Sequence, residues 1–199
     1  MPAENAARRT RILNAAVAAF CEEGFGRTSM DRVARQAGVS KATLYKYFPS
    51  KQVLFEAVVS AVSAQFVARV VTPERLTQPL AEALEQIALD FLGTLLARDN
   101  LAAVRLIIGE VQSNPDIGRL FYRAGPEQAL RAVSRFFRSR QEAGELPGDD
   151  PDFLARQFVA AFRGDIYWQA LLGLDMDAPA RAAHVRRAVV LFLRGLGVV

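Results

Sequence analysis

The sequence predicts an all-α fold of about nine or ten helices. Three observations carry that reading. Apolar residues recur every three or four positions through nearly the whole chain. No stretch alternates at period two for several residues. Breaks containing glycine, proline or asparagine punctuate the pattern at helical lengths.

Each element follows from its own residues. Ile12, Ala16 and Phe20 repeat every four positions, with Leu13 and Val17 beside them, and form the apolar face of a first helix. Glu23-Gly24 closes it, because glycine enters a left-handed turn at little cost. Thr28-Ser29-Met30-Asp31 opens a second helix: a hydroxyl caps it, and the acid suits the positive end of the helix dipole. Gly38 ends that short helix. Ser40 caps a third, which reaches Tyr47 or Phe48 before Pro49 breaks it. Ser50 then caps a long fourth helix with Leu54, Val58, Val62 and Phe66 on one side. Beyond Pro73 and Pro79, further helices are expected over 79–97, 100–113, 116–123, 126–143, 151–173 and 178–197. Asp99-Asn100, Asn114-Pro115, Gly125-Pro126, residues 144–151 and 177–179 separate them.

A chain of 199 residues, 51% of them hydrophobic, can build a real core in one or two domains and is no disordered tail. Its charge is unevenly placed. Residues 1–60 hold nine cations and five anions, which accounts for the whole net charge of +4, and the remainder is balanced. A basic segment ahead of a neutral one suits a polyanion-binding head on a body with another task, although an unevenly charged soluble surface would look the same. The lone cysteine, Cys21, excludes a disulfide framework and is expected as a small buried residue in a reducing cytoplasm. The opening Met-Pro-Ala-Glu-Asn lacks the apolar core of a secretory signal. No uncharged apolar run approaches the roughly 20 residues that cross a bilayer. No membrane partner is therefore expected. The one histidine, His184, has no serine or cysteine near it in a recognisable catalytic motif, and no glycine loop for phosphate is present. One histidine with one cysteine makes a poor zinc site. Neither enzymatic activity nor a cofactor or metal is expected.

The most specific stretch is VARQAGVSKATLYKYF, residues 33–48. Two short helices crossing steeply need a small residue where they approach, and Ala34 supplies it. Gly38, four positions later, turns the corner. Val33, Val39 and Leu44 plug the angle. This is the helix-turn-helix pattern, whose second helix lies in the DNA major groove. The outer side of that helix has matching chemistry. Lys41 and Tyr45 share one face, Ala42 and Lys46 the next, Thr43 and Tyr47 a third. Lysine can donate to guanine or to phosphate, and Thr43 can donate or meet a thymine methyl. Tyr45 and Tyr47 suit phosphate oxygens, and Lys51 suits a phosphate on the flank. Thr28, Ser29 and Ser40 stand at helix starts, where free backbone N–H groups favour phosphate.

The run from Arg11 to Phe55 resembles the DNA-binding domain of the TetR family of bacterial regulators. The matching residues are Gly24-Phe25, Thr28-Ser29-Met30-Asp31, Val33-Ala34, Ala37-Gly38-Val39-Ser40, Thr43-Leu44-Tyr45, Tyr47-Phe48 and Ser50-Lys51. Ala42 departs from a frequent glycine, and Gln52-Val53 from the acids that usually follow the lysine. The resemblance implies that Lys41, Ala42, Thr43, Tyr45 and Lys46 face bases, while Thr28, Ser29, Tyr47 and Lys51 hold the backbone. Arg8 and Arg9, ahead of the first helix, either reach phosphate or minor groove or belong to a disordered, solvated end.

The expected division is a helix-turn-helix DNA-binding domain over 1–55 and a helical effector-binding and dimerisation domain over 56–199. In the body, Phe153, Leu154, Phe158, Phe162, Ile166 and Leu171 lie on one long helix, and Val185, Val189, Phe192, Leu193 and Leu196 on the last. Both are apolar around more than a narrow stripe, so each needs partners on two sides. The resemblance implies that these helices pair with their copies in a homodimer, with Phe153, Phe158, Val185, Val189, Phe192 and Leu196 at the interface. Ordinary core helices of a monomer are the alternative. A dimer would favour an inverted-repeat operator. The resemblance also implies a pocket for a small hydrophobic or amphipathic effector, with Phe66, Phe91, Ile107, Glu110, Phe121, Phe137, Phe162, Asp165 and Trp168 as candidate lining. Glu110 and Asp165 sit on otherwise apolar helices and need partners if buried, with Arg105 and Arg163 nearest in sequence. The function expected is a cytoplasmic, nucleoid-associated DNA-binding regulator, most simply a dimeric repressor released by an effector. The alternative is an architectural or protein-regulated DNA binder without one.

Overall fold

A computed structural model of the chain describes residues 2–174 and 176–198. Among these residues it is all-α, with eleven helices: α1 Pro2–Arg27, α2 Met30–Ala37, α3 Lys41–Tyr47, α4 Lys51–Val70, α5 Pro73–Thr77, α6 Leu80–Leu95, α7 Arg98–Glu110, α8 Pro115–Ala124, α9 Pro126–Glu142, α10 Pro151–Leu171 and α11 Ala178–Gly195. The helix beyond expectation is α5. Pro73 was read as a breaker, but it occupies the first turn, where its missing N–H costs nothing, and Thr72 caps it through the Arg75 N–H. The first helix also starts earlier than predicted. Arg8 and Arg9 lie inside α1, with Arg8 paired to Glu4 at 2.8 Å and Arg9 stacked 5.6 Å from the Phe48 ring centre. They are not a disordered end.

Two compact units form. The first comprises the chain up to Ser63 together with Ala102–Pro126; the second comprises Ala64–Leu101 and Glu127–Val199. Besides the chain up to Ser63, the first unit thus takes in α7 from Ala102 onward and α8. Its core joins Ile12, Ala16 and Ala19 of α1 to Val33, Leu44, Leu54 and Phe55, and to Ile107 and Ile117 from α7 and α8. Phe20, Phe25 and Phe55 form a ring cluster with centroids 5.3–5.8 Å apart. Helices α4 and α7 each have residues in both units. The stretch Lys51–Thr77 is long and apolar enough by length and composition to cross a membrane. Its side chains Leu54, Phe55 and Val58 enter the first core and Phe66 and Val70 the second.

The second unit is built around phenylalanine. Phe66 meets Phe91 at 4.9 Å, Phe91 meets Phe162 at 5.5 Å, Phe162 meets Phe158 at 5.0 Å, and Phe158 meets Phe137 at 5.7 Å. Phe66, Phe91, Phe137 and Phe162, expected along a pocket, thus fill a packed core. Ile107 belongs to the first unit's core instead, and Phe121 packs against that core partly buried. Asp165 is exposed and accepts from Gln169 at 2.6 Å, while Arg163 lies over the Tyr167 ring. Trp168 is 60% exposed. Periodicity marks apolar faces but not which core each face enters.

The expected interface residues also divide. Phe158, Val185 and Val189 are buried in the second unit's core, and Phe192 and Leu196 pack against it; of the six, Phe153 alone is exposed. Beside Phe153 the exposed apolar side of α10 carries Ala160, Ala161 and Trp168, with Leu172 just past its end, and that of α11 carries Val190 and Leu191.

Candidate nucleic-acid interface

The reading unit is set by its caps. Ser29 precedes α2 in extended backbone, and its Oγ accepts the Arg32 N–H at 3.2 Å. Gly38 ends α2 at φ 63°, which turns the chain so that the Val39 N–H donates back to the Ala34 carbonyl at 3.0 Å. Ser40 then starts α3, its Oγ accepting the Thr43 N–H at 3.1 Å and bonding the Thr43 hydroxyl at 2.8 Å. Leu44 is fully buried against the first unit's core with Val33, Ala34 and Ala37. Burying a leucine this way stabilises by about 1.5–3 kcal/mol. It also fixes the rotation of α3, so its opposite side faces out.

That outer side presents Lys41, Ala42, Tyr45 and Lys46, all exposed, with Thr43 half-buried. Lys41 is paired with Asp31 of α2 at 2.9 Å, and that hydrogen bond and charge raise the lysine pKa above its usual value. Pattern reading missed this pair, because the partners are ten residues apart across the turn. It also missed Arg32, which pairs with Glu22 and Glu23 and so ties α2 to the end of α1.

Three residues assigned to the DNA backbone are engaged elsewhere. Thr28 is buried, and its hydroxyl donates to the Gly24 carbonyl at 2.7 Å, with the Ala19 carbonyl at 3.1 Å. It braces the end of α1, and Ser29 is the cap. Lys51 donates to the carbonyls of Phe25, Gly26 and Thr28 at 2.7–3.0 Å and lies 4.4 Å from the Phe25 ring centre. Burial pulls its pKa below the usual lysine value, opposed by the charge of Glu110. This ammonium clips the turn before α2 and does not project outward. Tyr47 donates to Asn5 Oδ1 at 2.8 Å. Signals for these roles were absent, since each partner is a backbone carbonyl or a residue far away in sequence.

Glu110, for which either an ion pair with an arginine or a place in the effector pocket was expected, accepts the Gly26 N–H at 2.9 Å within the same unit. An open cleft of about 370 Å³ lies beside it, lined also by Glu23, Arg27, Arg105 and Leu106. His184 Nε2 lies 3.1 Å from the Phe162 carbonyl oxygen. Among the described residues, no group of three His, Cys, Asp or Glu side chains is placed to hold a metal.

A basic recognition helix, capped at both turns and locked by a buried leucine, defines a helix-turn-helix DNA-binding protein. Family comparison makes the assignment narrower. Residues 12–58 match the profile described as bacterial regulatory proteins, tetR family, and residues 82–197 match that of the AefR-like transcriptional repressor C-terminal domain. The chain belongs to the TetR family and is a DNA-binding transcriptional regulator. A TetR-family regulator from Mesorhizobium loti superimposes with a TM-score of 0.82 at 28% identity, over 96% of each chain. The flavonoid-responsive regulator FrrA gives a TM-score of 0.79 at 37% identity, over 96% of this chain and 97% of that one. The Escherichia coli K12 transcriptional regulator UidR is 24% identical over 98% of this chain and 96% of its own.

Proposed function

We propose that the protein is a dimeric repressor that occupies an inverted-repeat operator and leaves it when a small hydrophobic or amphipathic effector binds. Residues 1–55 read DNA in this scheme, and 56–199 dimerise and sense the effector, in the cytoplasm at the nucleoid. The observation that carries the DNA-reading part is the exposed row Lys41, Ala42, Tyr45 and Lys46 on a helix fixed from behind by Leu44. Lys41 and Lys46 suit guanine or phosphate, and Ala42 and the half-buried Thr43 suit a thymine methyl. Ser29 and Ser40, at helix N-termini, suit phosphate. The exposed apolar sides of α10 and α11 support dimerisation: Phe153, expected there from the outset, is joined by Trp168, Leu172 and Leu191. FrrA is flavonoid-responsive, and its likeness over nearly the whole of both chains supports an aromatic effector for this chain too.

The first test is selection from a random duplex pool with purified protein at physiological salt. The expected result is an enriched inverted repeat, which then serves as the probe for release by planar aromatic compounds. Weak, salt-sensitive binding with no enrichment would count against specific readout. A second reading, control by a protein and not by a metabolite, is favoured by the closely packed Phe66–Phe91–Phe162–Phe158–Phe137 chain of rings. An operator complex that no compound releases would support it.

A further inference from the structure

We infer that Glu110 is a positioning residue for DNA recognition, acting through Gly26 on the turn that precedes the helix-turn-helix. The inference rests on the DNA-reading role above. At Gly24 the backbone leaves the helix of α1 at φ 79°, so the amides that follow need acceptors outside the regular ladder. Glu110, the last residue of α7, takes the Gly26 N–H at 2.9 Å. From the other side, Lys51, the first residue of α4, takes the Gly26 carbonyl at 3.0 Å and those of Phe25 and Thr28. One peptide segment is thus held by an anion on its donor and a cation on its acceptors.

Two further observations make this hold specific. A Cβ on residue 26 would lie 2.7 Å from Glu110 Oε1, so a side chain there makes the carboxylate shift from the place where it meets the Gly26 N–H. The segment runs directly into Ser29, the cap of α2, and α2 carries Gly38 and α3 behind it. The grip therefore reaches the reading helix through a short, tightly capped path. Its two holders stand on α4 and α7, each of which has residues in both units. The carboxylate also borders the open cleft and is only half-buried, so releasing it exposes no deeply buried charge. A hydrogen bond to a charged group in such a place is strong enough to set an equilibrium and weak enough to be broken.

The test uses the full chain and the duplex enriched by selection. Glu110→Ala is expected to weaken operator binding about tenfold. Glu110→Gln keeps an oxygen acceptor and is expected to restore most of that affinity. Gly26→Ala should weaken binding too, by no more than Glu110→Ala, because its methyl makes the carboxylate shift. The double variant should bind no more weakly than Glu110→Ala, since both changes act on the same contact. Amide exchange supplies the readout that a merely structural role would not move: the Gly26 amide should exchange faster in Glu110→Ala while Val33 and Leu44 stay protected. Unchanged operator affinity in Glu110→Ala would overturn the inference. So would loss of protection at Val33 and Leu44 in step with affinity, which marks general destabilisation. Failure of the unaltered chain to enrich any sequence would overturn the DNA-reading role itself and this inference with it. The two failures are told apart by whether the unaltered chain binds.

Discussion

Two lysines of the first unit show how residue type and residue role separate. Lys46 and Lys51 both lie in the basic stretch near the third helix, and composition treats them alike. Lys46 is exposed on the reading side, whereas Lys51 is tied to three carbonyls and a phenylalanine ring. A free lysine that meets phosphate releases a counterion when DNA binds, and a tied one does not. Lys46→Ala is therefore expected to lower the slope of log affinity against log salt by about one. Lys51→Ala should leave that slope unchanged and lower the unfolding free energy by roughly 1–2 kcal/mol, because it removes a cation from two part-buried carbonyls and one exposed one. Salt titration of operator binding beside chemical denaturation checks both; a reduced slope for Lys51→Ala would return that residue to the phosphate backbone. Sequence supplied the correct residue types here but not their partners. Carbonyls 23–26 residues upstream carry no side-chain signature.

At the level of elements, local chemistry was legible wherever it acts within three or four residues. Ser29, Gly38 and Ser40 were all assigned to caps or corners and occupy them. Thr72 before Pro73 is the same kind of signal, but the five-residue helix that it caps is too short for apolar periodicity to mark. What periodicity could not resolve was the inward side of a helix that is apolar on two sides. Helix α10 buries Phe158 and Phe162 and exposes Phe153 and Trp168. The corner between α2 and α3 offers a clean test. A Cβ at Gly38 would meet nothing within 4 Å, so Gly38→Ala introduces no clash and only the penalty of its positive φ. That penalty is about 1–2 kcal/mol. The expected outcome is a stability loss of that size, with operator affinity falling only as far as α3 loses its seat. A variant as stable as the original would mean that the turn relaxes to another geometry.

For the whole molecule, the proposed dimer makes the sharpest distinction between periodicity and packing. The residues first expected at the interface include Phe158, which is fully buried and touches Phe137, Phe162 and Phe192. Truncating it removes core volume, so Phe158→Ala should cost about 3–5 kcal/mol of stability, and any change in association follows from unfolding. Trp168 and Leu191 are 60% and 66% exposed and touch no such core. A charge placed on either is harmless to a monomer, since water solvates it, but costly in an apolar interface, where it has no partner. Trp168→Glu combined with Leu191→Glu should therefore keep the melting temperature within a few degrees when compared as monomers, yet sediment as a single chain at concentrations where the original is a dimer. Operator binding should fall with it, because two half-sites bound by one rigid pair gain from effective concentration that separate chains lack. Half-site affinity should stay as it was, since the reading helix is untouched. A double variant that still sediments as a dimer would place the interface elsewhere, and one that binds the full operator unchanged would mean that each half-site is read independently.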